Sequence, residues 1–278
     1  MIRRLFAILL VTTLCGCTGL FFYPYRPHVR TPDQIGLEYE DVRFDSTDGV
    51  RLHGWFLPAR GPACGTILFL HGNAENISTH IGSVHWLPAK GFNVFLPDYR
   101  GYGASEGSPS LPGLQADIEA AMRYLLARPG VDPNAIAVFG QSLGGAQAIY
   151  YVAHTPHRAH IRTLVADSAF ASYRDIAREK LADFWLTWAF QYPFGLTVSD
   201  DYSPIDVIDR VAPIPLLLIY GDRDSIIPIH HGERLFAAAR EPKEFWRVAG
   251  AGHIQAVNNK EVRERLTSYL KRHVCPAR

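Results

Sequence analysis

The chain has 278 residues, of which 47% are hydrophobic and 20% charged, a composition that describes a globular protein with enough apolar residues for a large core. Its formal net charge is +1 and it contains no basic run. This balance argues against nucleic acid as a partner, because phosphates would find no cationic patch.

The N-terminal 36 residues are predicted to precede the folded domain. Two arginines and a ten-residue apolar run from Leu5 to Leu14 are typical of a secretory signal, and the run is too short to span a bilayer. The following Leu14-Cys15-Gly16-Cys17 resembles a bacterial lipobox. We therefore predict a signal peptide over residues 1–16, lipidation of Cys17, and a lipoprotein anchored in the bacterial cell envelope, facing the periplasm or the exterior. A plain secretory signal or an uncleaved anchor is the alternative.

The rest of the chain divides into a predicted tether and one folded domain. Residues 17–36 are rich in aromatic residues and prolines and contain few helix signals, which suits a tether, and residues 37–278 form the domain. Cys64 and Cys275 lie within the domain, and the sequence leaves open whether they form a disulfide or two free thiols. No histidine and cysteine pattern has the spacing of a zinc site, so no metal is expected.

Strands and helices are predicted to alternate along the domain. A hairpin is expected from residues 41–45 and 50–57, which alternate polar and apolar residues around the turn signal at 46–49. Buried strands are predicted at 66–70, 93–97, 135–139, 162–167, 215–220 and 245–248, and helices ending near 89, over 111–126, after 145 and over 261–272. This alternation predicts the α/β class, with a mainly parallel central sheet and helices on both faces.

Residues 168–212 interrupt the alternation and are predicted to form a small cap. An insertion here lies over the carboxyl ends of the strands, where open α/β sheets bind ligands, so its apolar face is expected to help form a pocket. Two alternatives remain open: the aromatic residues belong to the core of an ordinary crossover helix, or they dock onto a lipid surface. These aromatic residues are Phe184, Trp185, Trp188, Phe190, Tyr192 and Phe194.

The segment from Gly140 to Gly145 places a serine, Ser142, between a predicted strand and a predicted helix. A serine flanked by glycines in this context is typical of a nucleophile elbow, a tight turn that exposes the hydroxyl. Ser142 is therefore the candidate nucleophile. The alternative is a buried turn serine that only caps the helix.

A nucleophilic serine needs a base within hydrogen-bond reach and a third group that orients the base. Asp224 and His253 follow the last two predicted strands in the order acid then histidine, which is the order found with strand-elbow serines. We predict His253 as base and Asp224 as acid, with Asp167 as the rival acid because it also ends a strand.

The negative charge that develops on the attacked carbonyl oxygen needs fixed N–H donors. The N–H of Leu143, directly after the serine, is one candidate for this oxyanion hole. The second is the N–H of Asn73, in the loop after the first predicted parallel strand, where Gly72 permits close approach of the backbone.

Together these motifs resemble the α/β-hydrolase-fold serine hydrolases, close to the abhydrolase domain-containing and serine aminopeptidase-like proteins. The resemblance implies Ser142 as nucleophile, Asp224 as acid and His253 as base, an acyl-enzyme intermediate, and no metal or organic cofactor. It covers about residues 40–272, and it rests on His71-Gly72-Asn73-Ala74, Asp98-Tyr99-Arg100-Gly101-Tyr102-Gly103, Gly140-Gln141-Ser142-Leu143-Gly144-Gly145, Gly221-Asp222-Arg223-Asp224 with Pro228, and Gly250-Ala251-Gly252-His253.

The expected function is that of a membrane-tethered serine hydrolase acting on a small acyl substrate, through cleavage of a carboxylic ester or a thioester. The same site could instead serve an amidase, a peptidase or an acyltransferase. A third hypothesis is a non-catalytic lipoprotein that binds a lipid or a partner. The sequence carries no prediction of the oligomeric state.

Overall fold

The computed structural model describes residues 22–183 and 186–275. The predicted signal peptide and the predicted lipidation site Cys17 lie outside the described residues, as do Phe184 and Trp185 of the predicted cap. Among the described helices, none combines the length and the apolar character needed to cross a membrane.

An eight-stranded sheet forms the centre of the described structure, in the order β10-β9-β8-β7-β4-β6-β3-β2, and a pair of two-residue strands, β1 and β5, lies beside it. Neighbouring strands from β10 to β6 are parallel, whereas β3 is antiparallel to both β6 and β2. The predicted hairpin at one sheet edge is thus confirmed. The strands are β1 Tyr23–Pro24, β2 Glu40–Asp45, β3 Arg51–Leu57, β4 Gly65–Leu70, β5 Ala74–Glu75, β6 Phe92–Asp98, β7 Ile136–Gln141, β8 Ile161–Asp167, β9 Leu216–Gly221 and β10 Lys243–Val248.

The α-helices connect the parallel strands across the sheet. They are α1 Ile77–His80, α2 Leu111–Ala127, α3 Leu143–His154, α4 Tyr173–Ala182, α5 Gln191–Gly195, α6 His230–Ala238 and α7 Lys260–Val274. The helix expected to end near residue 89 is instead the short α1 followed by 3-10 turns at Ile81–Ser83 and Pro88–Lys90. Gly82 and Pro88 account for the break, because glycine weakens a helix and proline removes a backbone donor.

Both faces of the sheet are covered, as predicted. Successive residues of β4 point to opposite sides, so that Leu68 and Leu70 join one apolar cluster while Ile67 and Phe69 join the other. Helices α2 and α3 cover the first cluster, and α7 with the turns after β4 covers the second. Because the strands β10, β9, β8, β7, β4 and β6 of the central sheet run in one direction, the loops at their carboxyl ends meet along one edge, which we call the carboxyl edge.

The stretch from residue 22 to residue 36, predicted to be part of the tether, packs along the domain. Strand β1 pairs in parallel with β5, and the Asn76 amide donates hydrogen bonds to the carbonyl oxygens of Tyr25 and Pro27, each at 2.9 Å. The Val29 N–H donates to the Ser78 hydroxyl at 3.0 Å. These bonds hold the described part of the predicted tether against the loop that follows β4.

A disulfide joins Cys64, beside the start of β4, to Cys275, beyond the end of α7, with the two Cα atoms 4.8 Å apart. The two cysteines are separated by 211 positions in the sequence, so the bond closes a long loop and restricts the unfolded chain strongly. We expect the double variant Cys64→Ser/Cys275→Ser to lose about 2–4 kcal/mol of unfolding free energy.

Urea denaturation of the variant and of the chemically reduced protein measures this loss. The two should agree, because each removes the same covalent link. Equal unfolding midpoints for the oxidised protein and the double variant would show that the disulfide does not contribute to stability.

Candidate active site

Ser142 lies in a strained turn between β7 and α3. Its φ of 53° and ψ of −117° fall in a region that side-chain-bearing residues rarely adopt, at a cost on the order of 1–3 kcal/mol. A Cβ atom placed on Gly140 would lie 2.2 Å from the carbonyl oxygen of Gly144, and one on Gly144 would lie 2.1 Å from that of Leu70. The glycines are therefore required by the close passage of α3 over the strands.

The surroundings of Ser142 are those expected of an elbow. Its N–H donates to the carbonyl oxygen of Asp167 at 2.8 Å, which ties the turn to the end of β8. Its side chain makes no capping hydrogen bond to α3, although it occupies the N-cap position. This observation argues against the alternative of a serine that only caps the helix.

His253 and Asp224 are in direct contact. The Asp224 Oδ2 and His253 Nδ1 atoms are 2.8 Å apart, while the Asp224 Oδ1 accepts the N–H groups of Ile226 and Ile227 at 2.9 and 2.8 Å. Burial by itself raises the pKa of Asp224, but the hydrogen bond and charge of His253, helped by the two N–H donors, hold the pKa below its usual value. The carboxylate is thus ionised and aimed at the imidazole at neutral pH.

Two further contacts join the loops that carry Asp224 and His253. The Gly250 N–H donates to Asp222 Oδ1 at 2.7 Å, and the Arg223 N–H donates to the Ala251 carbonyl oxygen at 3.0 Å. These bonds connect the loop after β9 to the loop after β10. The hydrogen bonds between these two loops therefore help to hold the acid and the base next to each other.

Asp167, the rival acid, faces other partners. Its carboxylate accepts the Gln141 amide at 2.8 Å and the Ser168 hydroxyl at 3.2 Å, and its side chain is fully buried. Burial raises the pKa of Asp167 to about 6, against the lowering effects of Gln141 and of the nearby His253. Within the described residues, the Asp167 carboxylate is hydrogen-bonded to Gln141 and Ser168, whereas His253 is hydrogen-bonded to the Asp224 carboxylate.

The raised pKa of Asp167 has a consequence for stability. A carboxyl group whose pKa is higher in the folded than in the unfolded state stabilises the fold fully below the unfolded-state pKa of about 3.9. This stabilisation is lost as the pH rises through the folded-state pKa of about 6. Asn stays neutral at all pH values. We therefore expect Asp167→Asn to gain up to about 3 kcal/mol relative to the unaltered protein between about pH 4 and about pH 8.

Urea denaturation at both pH values, with Asp222→Asn as the exposed control, tests this expectation. A stability difference between Asp167→Asn and the unaltered protein that does not change with pH would contradict the raised pKa.

The loops at the carboxyl edge bring Ser142 and His253 into one region. The Ile254 N–H, next to His253, donates to the Ser168 hydroxyl at 3.3 Å, and Ser168 follows the residue that binds the Ser142 N–H. A Cβ atom on Gly72 would lie 3.6 Å from the Cβ of Ser142 and 2.9 Å from the His80 ring. Segments following β4, β7, β8 and β10 therefore meet at the carboxyl edge.

The predicted oxyanion donors flank Ser142 at this edge. Leu143 is the first residue of α3, where a backbone N–H has no acceptor within the helix. The Asn73 side-chain oxygen accepts the Tyr102 hydroxyl at 2.9 Å and the Tyr23 N–H at 3.2 Å, which anchors its loop. Their role as donors to a substrate stays a prediction.

A buried cluster around Asp98 braces the loop after β4, and its histidines were not predicted. The Asp98 Oδ2 lies 3.1 Å from His28 Nε2 and 3.4 Å from His53 Nδ1, while Oδ1 accepts the Ile77 N–H at 3.0 Å. Burial raises the pKa of Asp98, but its histidine and backbone partners lower it to about 2. The partners are 70 and 45 positions away in the sequence, so no local pattern could have indicated them.

In the described parts of the chain, two groups of histidines and a carboxylate have atoms close enough for a shared metal ion, namely His28, His53 and Asp98, and Glu179, His230 and His231. In the first, both carboxylate oxygens already have donors. In the second, Glu179 accepts from both imidazoles, at 3.0 and 3.1 Å. The hydrogen bonds explain both groups without a metal.

The predicted cap contains α4, α5 and short 3-10 turns, and of its predicted aromatic residues Phe194 packs partly buried against the core while three others are exposed. Tyr173 is fully buried, but Trp188, Phe190 and Tyr192 are each about 60% exposed. These three side chains therefore neither belong to a core helix nor line an enclosed pocket. The sequence pattern indicated a cap but not which of its faces would be covered.

Known proteins with similar sequences cover almost the whole chain. The family model for the alpha/beta hydrolase fold matches residues 65–200. The uncharacterized protein YfhR of Escherichia coli strain K12 is 36% identical over 97% of this chain and 94% of its own length. The alpha/beta hydrolase domain-containing protein WAV2 of Arabidopsis thaliana is 38% identical over 77% of this chain and 71% of its length.

Solved structures with the same fold include enzymes. The Pyrococcus furiosus esterase Pf2001 is 26% identical, with a TM-score of 0.73, over 91% of this chain and 98% of its own. Acetyl xylan esterase 1 of Thermoanaerobacterium, at 17% identity and a TM-score of 0.66, covers 88% of this chain and 86% of its own, and shows likeness of fold alone.

Proposed function

The chain belongs to the α/β-hydrolase fold family and is an esterase-like hydrolase, and from this premise we propose that it cleaves carboxylic esters or thioesters through Ser142, His253 and Asp224. The observation that carries the proposal is the 2.8 Å contact between His253 and Asp224 at the edge where Ser142 occupies its strained turn.

In the proposed reaction, the Ser142 Oγ attacks the acyl carbonyl while His253 Nε2 accepts the hydroxyl proton. The N–H groups of Asn73 and Leu143 stabilise the oxyanion of the tetrahedral intermediate. Collapse of the intermediate breaks the ester or thioester bond, and His253 returns the proton to the departing alcohol or thiol.

Water then releases the acyl group from Ser142. His253 accepts a proton from the water, the hydroxide attacks the acyl-enzyme carbonyl, and the proton passes to Ser142 Oγ as it leaves. Asp224 remains ionised and holds the imidazole in the tautomer that directs Nε2 toward the serine, which its low pKa supports.

Labelling with a fluorophosphonate probe, which reacts with activated serines, tests the proposal. We expect one modified residue, Ser142, identified by mass spectrometry, and no labelling of Ser142→Ala. Ser168→Ala is the matched control, because Ser168 lies at the same edge and should not react. Absence of labelling in the folded protein, or labelling of another serine, would overturn the assignment.

We further propose that the protein is exported and held to a membrane of the cell envelope through Cys17. The apolar run from Leu5 to Leu14 and the lipobox-like sequence support this location, as does the disulfide, because such bonds persist in oxidising compartments. Incorporation of a labelled fatty acid, abolished by Cys17→Ala and retained by Cys15→Ala, is the expected result. Equal incorporation in both variants would contradict it.

A further inference from the structure

An exposed apolar surface is concentrated in the cap. Its side chains are between 54% and 80% exposed and occur within eleven consecutive residues. The side chains of this surface make up half of the large hydrophobic side chains that are exposed in the described parts of the chain. A concentration of this kind marks an interaction surface, whereas single exposed apolar residues do not. We define it as the cap patch: Leu186, Trp188, Phe190, Tyr192 and Leu196.

The cap patch belongs to the same side of the molecule as the candidate active site. Helix α4, which precedes the patch, is joined to the loop that carries Asp224: Lys180 Nζ donates to the Ser225 carbonyl oxygen at 3.0 Å. Ile226, in the same loop, is 51% exposed. The end of α4 that leads into the cap patch therefore lies beside the loop that carries Asp224, at the carboxyl edge.

The described N-terminal segment also contacts the domain at the carboxyl edge. The Tyr23 N–H donates to the side chain of Asn73, in the loop after β4, and Tyr23 and Tyr25 are 66% and 46% exposed. Six residue steps separate Cys17 from Tyr23, and an extended chain spans at most about 3.6 Å per residue. A membrane that holds Cys17 thus lies within about 22 Å of Tyr23.

This short connection favours the carboxyl edge as the side that faces a bilayer, because the opposite edge could face it only with the connection almost fully extended. The opposite edge, where Cys64 and Cys275 lie, is a further strand length away, about 20 Å for six residues. Aromatic side chains such as those of the cap patch are favoured at membrane interfaces, where the ring is buried near the headgroups.

We propose that the cap patch docks into the interfacial region of a phospholipid bilayer, so that the site at the carboxyl edge opens toward the membrane. The docking depends on the exposed cap and on the short connection to Cys17, whose lipidation is part of the proposed function. Its consequence, which rests on the proposed function, is that the substrate is an acyl ester resident in the membrane.

Quenching of tryptophan fluorescence by brominated phosphatidylcholine tests the docking without reference to activity. The full chain is reconstituted in vesicles with and without the brominated lipid. We expect Trp188→Phe to lose a large part of the lipid-quenched emission, because Trp188 would lie at the boundary between the headgroups and the brominated acyl chains. Trp246→Phe, which removes a buried ring, should leave the quenched emission unchanged. Quenched emission equal in Trp188→Phe and in the unaltered protein would overturn the docking.

A second measurement addresses the substrate. For each protein we compare the hydrolysis of a long-chain ester embedded in vesicles with that of a short, water-soluble ester, and we express the result as a ratio. Replacing Trp188 and Phe190 by serine should lower this ratio about tenfold, because less of the site would face the lipid. Ile35→Ser, which alters an exposed apolar residue outside the cap patch, should leave it unchanged. An unchanged ratio in the double variant would overturn the membrane-resident substrate.

The two measurements separate the failure of docking from the failure of the proposed function. Absence of hydrolysis of both esters, with the quenching lost in Trp188→Phe, would refute the esterase proposal and retain the docking. Hydrolysis of both esters without quenching of Trp188 would retain the esterase proposal and refute the docking.

Discussion

Ser142→Ala is expected to lower kcat for ester hydrolysis by about 10⁵–10⁶-fold, because alanine has no atom that can form the acyl-enzyme. Such a loss amounts to about 7–8 kcal/mol of transition-state stabilisation. The remaining oxyanion donors and substrate contacts leave only a small residual rate. Steady-state kinetics with a chromogenic short-chain ester measures the change, and residual activity above a few per cent would contradict the assignment.

The folded state provides the control for this prediction. The Ser142 side chain does not cap α3, so its removal should leave the unfolding midpoint close to that of the unaltered protein. Ser142→Gly should be somewhat more stable than Ser142→Ala, because glycine adopts the positive φ of this turn without strain. Loss of activity together with loss of the fold would not count as support, and Ser142→Gly then serves as the second inactive variant.

Asp224→Asn is expected to lower kcat by about 10⁴-fold, because the amide leaves the geometry nearly intact but favours the wrong imidazole tautomer. The carboxylate accepts a hydrogen bond from the Nδ1–H of His253 at 2.8 Å, and an amide nitrogen at the same place would instead require Nδ1 to be the acceptor. The imidazolium formed during the reaction would also lose its ion-pair partner.

Asp167→Asn is the matched comparison, since both carboxylates lie near His253 and only one is bonded to it. We expect a loss of activity at least about 100-fold smaller in Asp167→Asn than in Asp224→Asn. Kinetics of both variants at one pH decides between the two acids. A larger loss for Asp167→Asn would make Asp167 the acid and would leave Asp224 with the role of ordering its loop.

The eight strands of the central sheet were predicted within two residues at each end, because each shows an apolar run or an alternation of polar and apolar residues, whereas the two-residue strands β1 and β5 were not predicted. Helix α6 was not predicted, since it contains Gly232 and few apolar residues. The fold explains that glycine: a Cβ atom there would lie 2.5 Å from the Tyr220 ring, so only glycine lets α6 approach β9. The prediction of a single helix after β4 was wrong for the opposite reason. Helix-favouring residues around Gly82 and Pro88 suggested one continuous helix, which the chain does not form.

The candidate site also combines features that the sequence predicts with features that only the structure shows. Ser142, Asp224 and His253 could be selected from the sequence because each follows a strand, and parallel strands bring such positions to one edge. The sequence left Asp167 as a rival, and the contact between Asp224 and His253 favours Asp224. The cluster of His28, His53 and Asp98 was not predicted, because its members come from three distant segments.

The sequence by itself determined the alternation of strands and helices, the elbow around Ser142 and the order of the candidate catalytic residues. These features depend on local periodicity and on glycines within a few positions of one another. Only the tertiary structure decided the disulfide between Cys64 and Cys275, the packing of residues 22–36 on the loop after β4, and the exposure of the cap aromatics. Such features depend on which distant surfaces meet and on how much apolar area remains uncovered, and spacing along the chain does not encode either.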